Sequence, residues 1–225
     1  MPTGTASRGC AIFDMDGTLL DTNYLHVAAW WGAFRESGLD IRSADVHRAL
    51  GQDSAALVKA VIGRTDDAVI EAHSRYFGPY LGRLRPLPGA ADVLGATAAT
   101  GAQVVIATSA KPDELDFMLA ALDAPDTISK VLSSADVADA KPEPDMIHAA
   151  LEATGSDPEH SVMVGDAVWD VLAASRAGVP CVGLLTGGIG EQELRDAGAA
   201  AVYADPAALL ADLANSPLSR CAATR

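Results

Sequence analysis

Positive charge is scarce in this 225-residue sequence: Lys and Arg number 16 against 30 Asp and Glu, for a formal net charge of −14, and only four residues (59, 111, 130 and 141) are lysines. A surface that tracks nucleic-acid phosphates needs clustered Lys and Arg to displace counterions, so nucleic acid is excluded as a partner, and an anionic membrane is disfavoured on the same ground. Long apolar runs are missing too. None approaches the ~20 residues of a membrane-spanning helix, and MPTGTASRGC at the start holds no hydrophobic stretch of signal-peptide length, so the expected location is the cytoplasm. Cysteine is limited to Cys10, Cys181 and Cys221, with no C-x-x-C spacing, which leaves little support for a disulfide framework or a zinc site. Cys10 and Cys181 fall inside apolar runs and read as core. Aromatics make up 5% of the chain while hydrophobic residues reach 49%, alanine supplying much of the difference, and this is a globular rather than a disordered composition.

What is present is a rhythm. Short apolar runs stop at turn or polar residues: CAIFD (10–14), QVVIATS (103–109), KVLSS (130–134), SVMVGD (161–166), VPCVGLL (179–185) and AAVYAD (200–205). They read as strands of a parallel sheet buried on both faces. Helix-like stretches such as PDELDFMLAALD, VWDVLAASRAG and PAALLADLANS lie between most of them, with Pro near starts and Gly near ends. The alternation predicts an α/β fold with a doubly wound, Rossmann-like parallel sheet.

One interval breaks it. From Thr22 to about Arg85 no strand is evident, and several helix-like pieces open on Thr, Ser or Asp and close on Gly. The expectation is an α/β core made of residues 1–21 and 86–225, carrying an inserted helical cap over 22–85, with RLRPLPGA (83–90) as the return linker. Tyr24, Trp31 and Phe34 fall at helical spacing and read as cap packing.

Asp14 stands where the first strand ends, Asp166 where SVMVG ends, and Thr108 and Ser109 where VVIA ends. Ligands of open parallel sheets gather outside the carboxyl ends of the strands. Carboxylates and hydroxyls converging there suggest a hard divalent cation such as Mg²⁺. Asp16 follows Asp14 by two residues, and Asp170 follows Asp166 by four.

The pattern resembles the haloacid dehalogenase superfamily of phosphatases and phosphomutases. DMDGTLLD (14–21) is similar to its first motif, IATSA (106–110) to the second, KPEPDM (141–146) to the lysine motif and VGDAVWD (164–170) to the fourth. The resemblance spans nearly the whole chain and implies a Mg²⁺-dependent phosphatase of a small phosphorylated metabolite. It implies Asp14 as the nucleophile that becomes an aspartyl phosphate and Asp16 as general acid and base. It implies Mg²⁺ on the Asp14 carboxylate, the Asp16 carbonyl and Asp166, with Asp170 nearby, and phosphoryl contacts from Thr108, Ser109 and Lys141.

Neighbouring activities remain as alternatives. Asp16 argues against dehalogenation, which has no leaving alkoxide to protonate. LHVAAW (25–30) resembles β-phosphoglucomutase at His26 and Trp30, so a phosphomutase is one alternative and a catalytically idle binding protein on the same fold is another. His26 is the candidate cap residue for contact with substrate or Asp16. The cap's Lys and Arg balance its Asp and Glu, seven against seven between Thr22 and Arg83, which leaves the whole −14 outside it. The glycines of LLTGGIGEQEL lack the spacing of a dinucleotide loop and read as a strand-to-helix turn.

Overall fold

The computed structural model describes residues 9–123 and 125–223. Most of the N-terminal stretch read above for a leader therefore lies outside the described residues. Six strands form one sheet: β1 (Cys10–Phe13), β2 (Gln103–Ala107), β3 (Lys130–Leu132), β4 (Val162–Gly165), β5 (Cys181–Leu184) and β6 (Ala201–Tyr203). Their order is β3-β2-β1-β4-β5-β6, and every neighbouring pair is parallel. The expected α/β sheet is thus the observed one.

Strand periodicity divides the sheet's side chains between two apolar layers. Ala11 and Phe13 join Val104, Ile106 and Val164 under α5 (Ala90–Ala99) and α10 (Pro206–Ala211). Cys10 and Ile12 join Val105, Met163 and Cys181 under α7 (Asp145–Thr154) and α8 (Val168–Arg176). Each fully buried Val, Leu or Ile contributes about 1.5–3 kcal/mol relative to exposure. The strands are shorter than the apolar runs in places. In KVLSS pairing stops at Leu132, because the Ser133 N–H and hydroxyl both bond Asp136 Oδ2, at 2.8 and 2.9 Å, and turn the chain away. All three cysteines are buried and free, and burial pushes the thiols of Cys10 and Cys221 up to about 12, so they are unreactive core residues.

Between β1 and α5 the chain forms α1 (Asn23–Glu36), α2 (Ser43–Ala49), α3 (Ser54–Ile62) and α4 (Asp67–Leu81). Sequence-local caps start two of them: Asp53 accepts the Ala56 N–H at 2.7 Å at the start of α3 and Asp66 that of Val69 at the start of α4, and α3 ends on left-handed Gly63. These helices share an apolar cluster of their own, in which Trp30, Phe34, Val46, Leu57, Val58 and Val69 are buried. Phe34 packs as expected. Tyr24 and Trp31 do not: they are 62% and 43% exposed, Tyr24 stacking on His47 and Trp31 lying under the Arg35 guanidinium. The outgoing and returning chains run side by side, with Asp21 N–H on Arg85 O at 3.0 Å and Leu87 N–H on Leu19 O at 2.8 Å, so the helical cap stands on paired tethers.

Phe34→Ala empties the cap cluster without touching the sheet. It is expected to lower stability by about 3–5 kcal/mol in urea unfolding followed by circular dichroism. A loss below about 1 kcal/mol would show that the cap helices do not depend on this cluster.

Candidate active site

The chain winds one way from β1 through β2 to β3 and the other way from β4 to β6, so the sheet's topological switch point lies between β1 and β4, where parallel sheets open a crevice. Asp14 and Asp166 leave these two strands side by side, and the Asp14 N–H still bonds Val164 O at 2.9 Å. Gly17 turns the next residues back with φ +72°. A β-carbon on Gly17 would meet both Asn23 and Asp166, so the turn needs glycine for its conformation and for its closeness. Behind it Thr18 Oγ1 donates to Asp166 Oδ1 at 2.9 Å, and Asn23 Nδ2 to Oδ2 at 2.7 Å.

Asp16 points into the cleft and is 23% exposed. Thr22 sits at the start of α1 as expected, but its hydroxyl caps nothing there and donates instead to Asp16 Oδ1 at 2.6 Å. His26 Nε2 is 3.2 Å from the same oxygen, and its Nδ1 is 3.2 Å from His73 Nε2 of α4. Burial alone would raise Asp16, but His26 and Thr22 outweigh it and hold the carboxyl below its usual range. The two imidazoles are clamped by rings, His26 on Phe77 and His73 on Trp30, each at 3.9 Å between centroids. Burial, with His26 and Lys111 adding to it, pushes His73 down to about 2, and that ring is neutral.

Lys141 joins the acids. Its ammonium bonds Asp14 Oδ1 at 2.5 Å and pairs with Asp170 Oδ1 at 2.8 Å, all three being buried. Asp170 Oδ2 accepts the Ala167 N–H at 3.1 Å, which ties it to the turn that presents Asp166. Arg176 at the end of α8 bonds Pro142 O and Glu143 and so pins the loop carrying Lys141. Burial by itself would lower the Lys141 ammonium, but Asp14 and Asp170 hold it above the ordinary lysine range. Three carboxylates still outnumber it. Burial lifts Asp14 well above its usual range, Lys141 opposing and Asp170 and Asp166 adding; burial and Asp170 push Asp166 up to about 7.

The other expected residues divide. Thr108 is fully buried, its Oγ1 accepting the Ala110 N–H at 3.0 Å, which leaves its own O–H free to donate. Ser109 lines the cleft beside Lys111 and Glu114 of the following segment, where α6 (Pro112–Leu122) begins. Lys111 Nζ donates to Ser74 Oγ of the cap at 2.6 Å. On the far side His47 bonds Gly187 O at 2.7 Å, so the cap is held down on both flanks. The glycine-rich segment is the expected strand-to-helix turn, leading from β5 into α9 (Glu191–Asp196), but a β-carbon on Gly187 would strike Asp166.

One oxygen each from Asp14, Asp166 and Asp170 lie within 4.8 Å of one another, a buried set without thiol or imidazole. Hard oxygen donors and uncompensated negative charge fit a divalent cation such as Mg²⁺. Asp170, held by Lys141 and the Ala167 N–H, is less free to ligate than Asp14 and Asp166. Sequence reading assigned no role to Thr18, Asn23, His73, Lys111 or Glu114. Thr18 lies within the first motif and Asn23 two residues past it, and both could have been flagged by that position; His73 and Glu114 carry no local signal.

Residues 11–184 match the family of haloacid dehalogenase-like hydrolases. A phosphoglycolate phosphatase of Rhodospirillum rubrum is 31% identical over 212 residues, 88% of either chain. A hydrolase of Pseudomonas syringae of known structure is 34% identical and superposes with TM-score 0.87 over 92% of this chain and 99% of that one. A putative β-phosphoglucomutase from Bacteroides vulgatus shares the fold at 20% identity, with TM-score 0.84 over 97% of this chain and 92% of that one. The motif residues that these strand ends bring together, and the likeness over nearly the whole chain, place the protein in the haloacid dehalogenase-like family of hydrolases, as a phosphoric monoester hydrolase of the branch that holds phosphoglycolate phosphatases and β-phosphoglucomutase-like proteins.

Proposed function

We propose that the protein is a Mg²⁺-dependent phosphatase of small phosphomonoesters that works through an aspartyl phosphate on Asp14. The observation that supports this most directly is the Lys141 ammonium lodged between Asp14 and Asp170 at the switch point, with Asp166 alongside. Asp14 and Asp166 would hold the cation, with Asp170 close behind, and the bound ion would offset repulsion between the phosphate dianion and the carboxylates. Lys141 holds the Asp14 carboxylate in place and presents positive charge to the phosphoryl oxygens, to which Thr108 and Ser109 add donors. An Asp14 oxygen attacks phosphorus, the bond to the leaving oxygen breaks, and Asp16 delivers a proton to that oxygen. Water then attacks the phosphoryl group, the bond to Asp14 breaks, and Asp16 takes the water's proton. The His26 and Thr22 contacts hold Asp16 in the ionised form that the second half requires; the arriving phosphate dianion pushes the carboxyl the other way.

The His26–Asp16 contact also suits a phosphomutase, in which the cap aligns a sugar hydroxyl. With β-glucose 1-phosphate and catalytic glucose 1,6-bisphosphate, phosphate release is expected to exceed isomerisation; the reverse would make the protein a mutase.

Asp14→Asn is expected to cut magnesium-dependent hydrolysis of p-nitrophenyl phosphate by about three orders of magnitude or more, with the circular dichroism spectrum unchanged. Retained turnover would remove Asp14 as nucleophile. Asp16→Ala is expected to reduce kcat on alkyl phosphates about tenfold more than on aryl phosphates, since a phenolate leaves with less protonation. Equal losses on both classes would count against Asp16 as the acid.

A further inference from the structure

Beyond the phosphoryl-facing residues the cleft continues under the cap, and its charges there are few. Trp30, Leu50 and Leu57 give it apolar wall, and Gln52 and Ser54 give neutral polar groups. Two ionisable side chains of opposite sign enter from the start of α6, Lys111 and Glu114, while the nearby His73 is neutral. None of the seven Lys and Arg between Thr22 and Arg83 reaches this lining. Glu114 is only 7% exposed and takes no part in the phosphoryl chemistry. Burial raises its carboxyl above the usual range, against the offsetting pull of His26 and the Lys111 backbone N–H. A carboxylate offers about four lone-pair directions, so a group this buried has acceptor capacity for whatever fills the pocket to satisfy. A second carboxylate brought in on a substrate would instead meet Glu114 and Asp16 as like charges, whose counterparts Lys111 and His26 are already engaged with them.

We propose that Glu114 is a specificity-determining residue that accepts hydrogen bonds from hydroxyls of the leaving group, so that the protein prefers phosphomonoesters of small uncharged polyols over those of hydroxy acids. The inference rests on the phosphatase reading above and sets this chain apart from relatives that act on phosphoglycolate. Lys111, already bonded to Ser74, closes the same wall and supplies one donor to the same leaving group.

Three esters of similar size separate the possibilities by the charge of what leaves: glycerol 1-phosphate (neutral), 2-phosphoglycolate (anionic) and O-phosphoethanolamine (cationic). With Mg²⁺ present, kcat/KM for glycerol 1-phosphate is expected to exceed each of the others at least tenfold. Glu114→Gln, which keeps the side chain's shape, is expected to lower the preference for glycerol 1-phosphate over 2-phosphoglycolate at least fivefold, chiefly through KM. Turnover with either charged ester equal or preferred would overturn the inference and leave the phosphatase reading standing, as would an unchanged ratio in a folded Glu114→Gln. No turnover of any ester, p-nitrophenyl phosphate included, would sink both.

Discussion

Taking an ammonium and three carboxylates out of water costs several kcal/mol per ion, and attraction among them repays this only when the geometry is close and the remaining lone pairs are bonded. Lys141 meets that condition by touching Asp14 and Asp170 at once. Around it the fold supplies what the ion cluster cannot provide for itself: Thr18 and Asn23 on Asp166, the Ala167 N–H on Asp170, and Arg176 holding the loop from which Lys141 projects. The two apolar layers that carry β1 and β4 supply the stability against which this cost is set. The result is a cluster short of positive charge, a state that suits a cation.

The cap's contribution is of a different kind. Its cluster of Trp30, Phe34, Val46 and Leu57 lets four helices pack without help from the sheet, while the foot of α1 and α4 is pressed into the core through Ala29 and Phe77. That foot is where the cap enters the chemistry. Thr22 and His26 bond Asp16, and Asn23 bonds Asp166, so the first turn of the insertion belongs to the site as much as the strand ends do. Thr22 also shows a local rule overridden. A threonine placed to cap a helix gives its hydroxyl to Asp16 instead, and such exceptions are expected where function sets the contact.

The aromatic clamp around His26 and His73 joins the two. Phe77 and Trp30 hold the imidazoles nearly parallel, so the packing of α1 on α4 fixes the His26 ring that Asp16 meets. The surroundings of the Asp16 carboxylate are in this way linked to the seating of the cap.

From the sequence alone came the alternation of strand and helix, the helical interval, and the placing of Asp14, Asp166 and Thr108 at strand ends, whereas Lys141 came only with the family resemblance. Apart from Lys141, these follow from short-range rules: buried runs ending at turns, caps at helix ends, and a first motif whose glycine allows a reversal. The exposed positions of Tyr24 and Trp31, the early end of β3, and the arrival of His73 and Glu114 at the cleft depended on the tertiary structure. Those outcomes turn on which face of a helix meets another element and on pairs such as His26 with His73, far apart along the chain, and no local period or cap encodes such a meeting. Packing decides it, because the energy of burying Trp30 or Phe77 is realised only when α1 and α4 are already side by side.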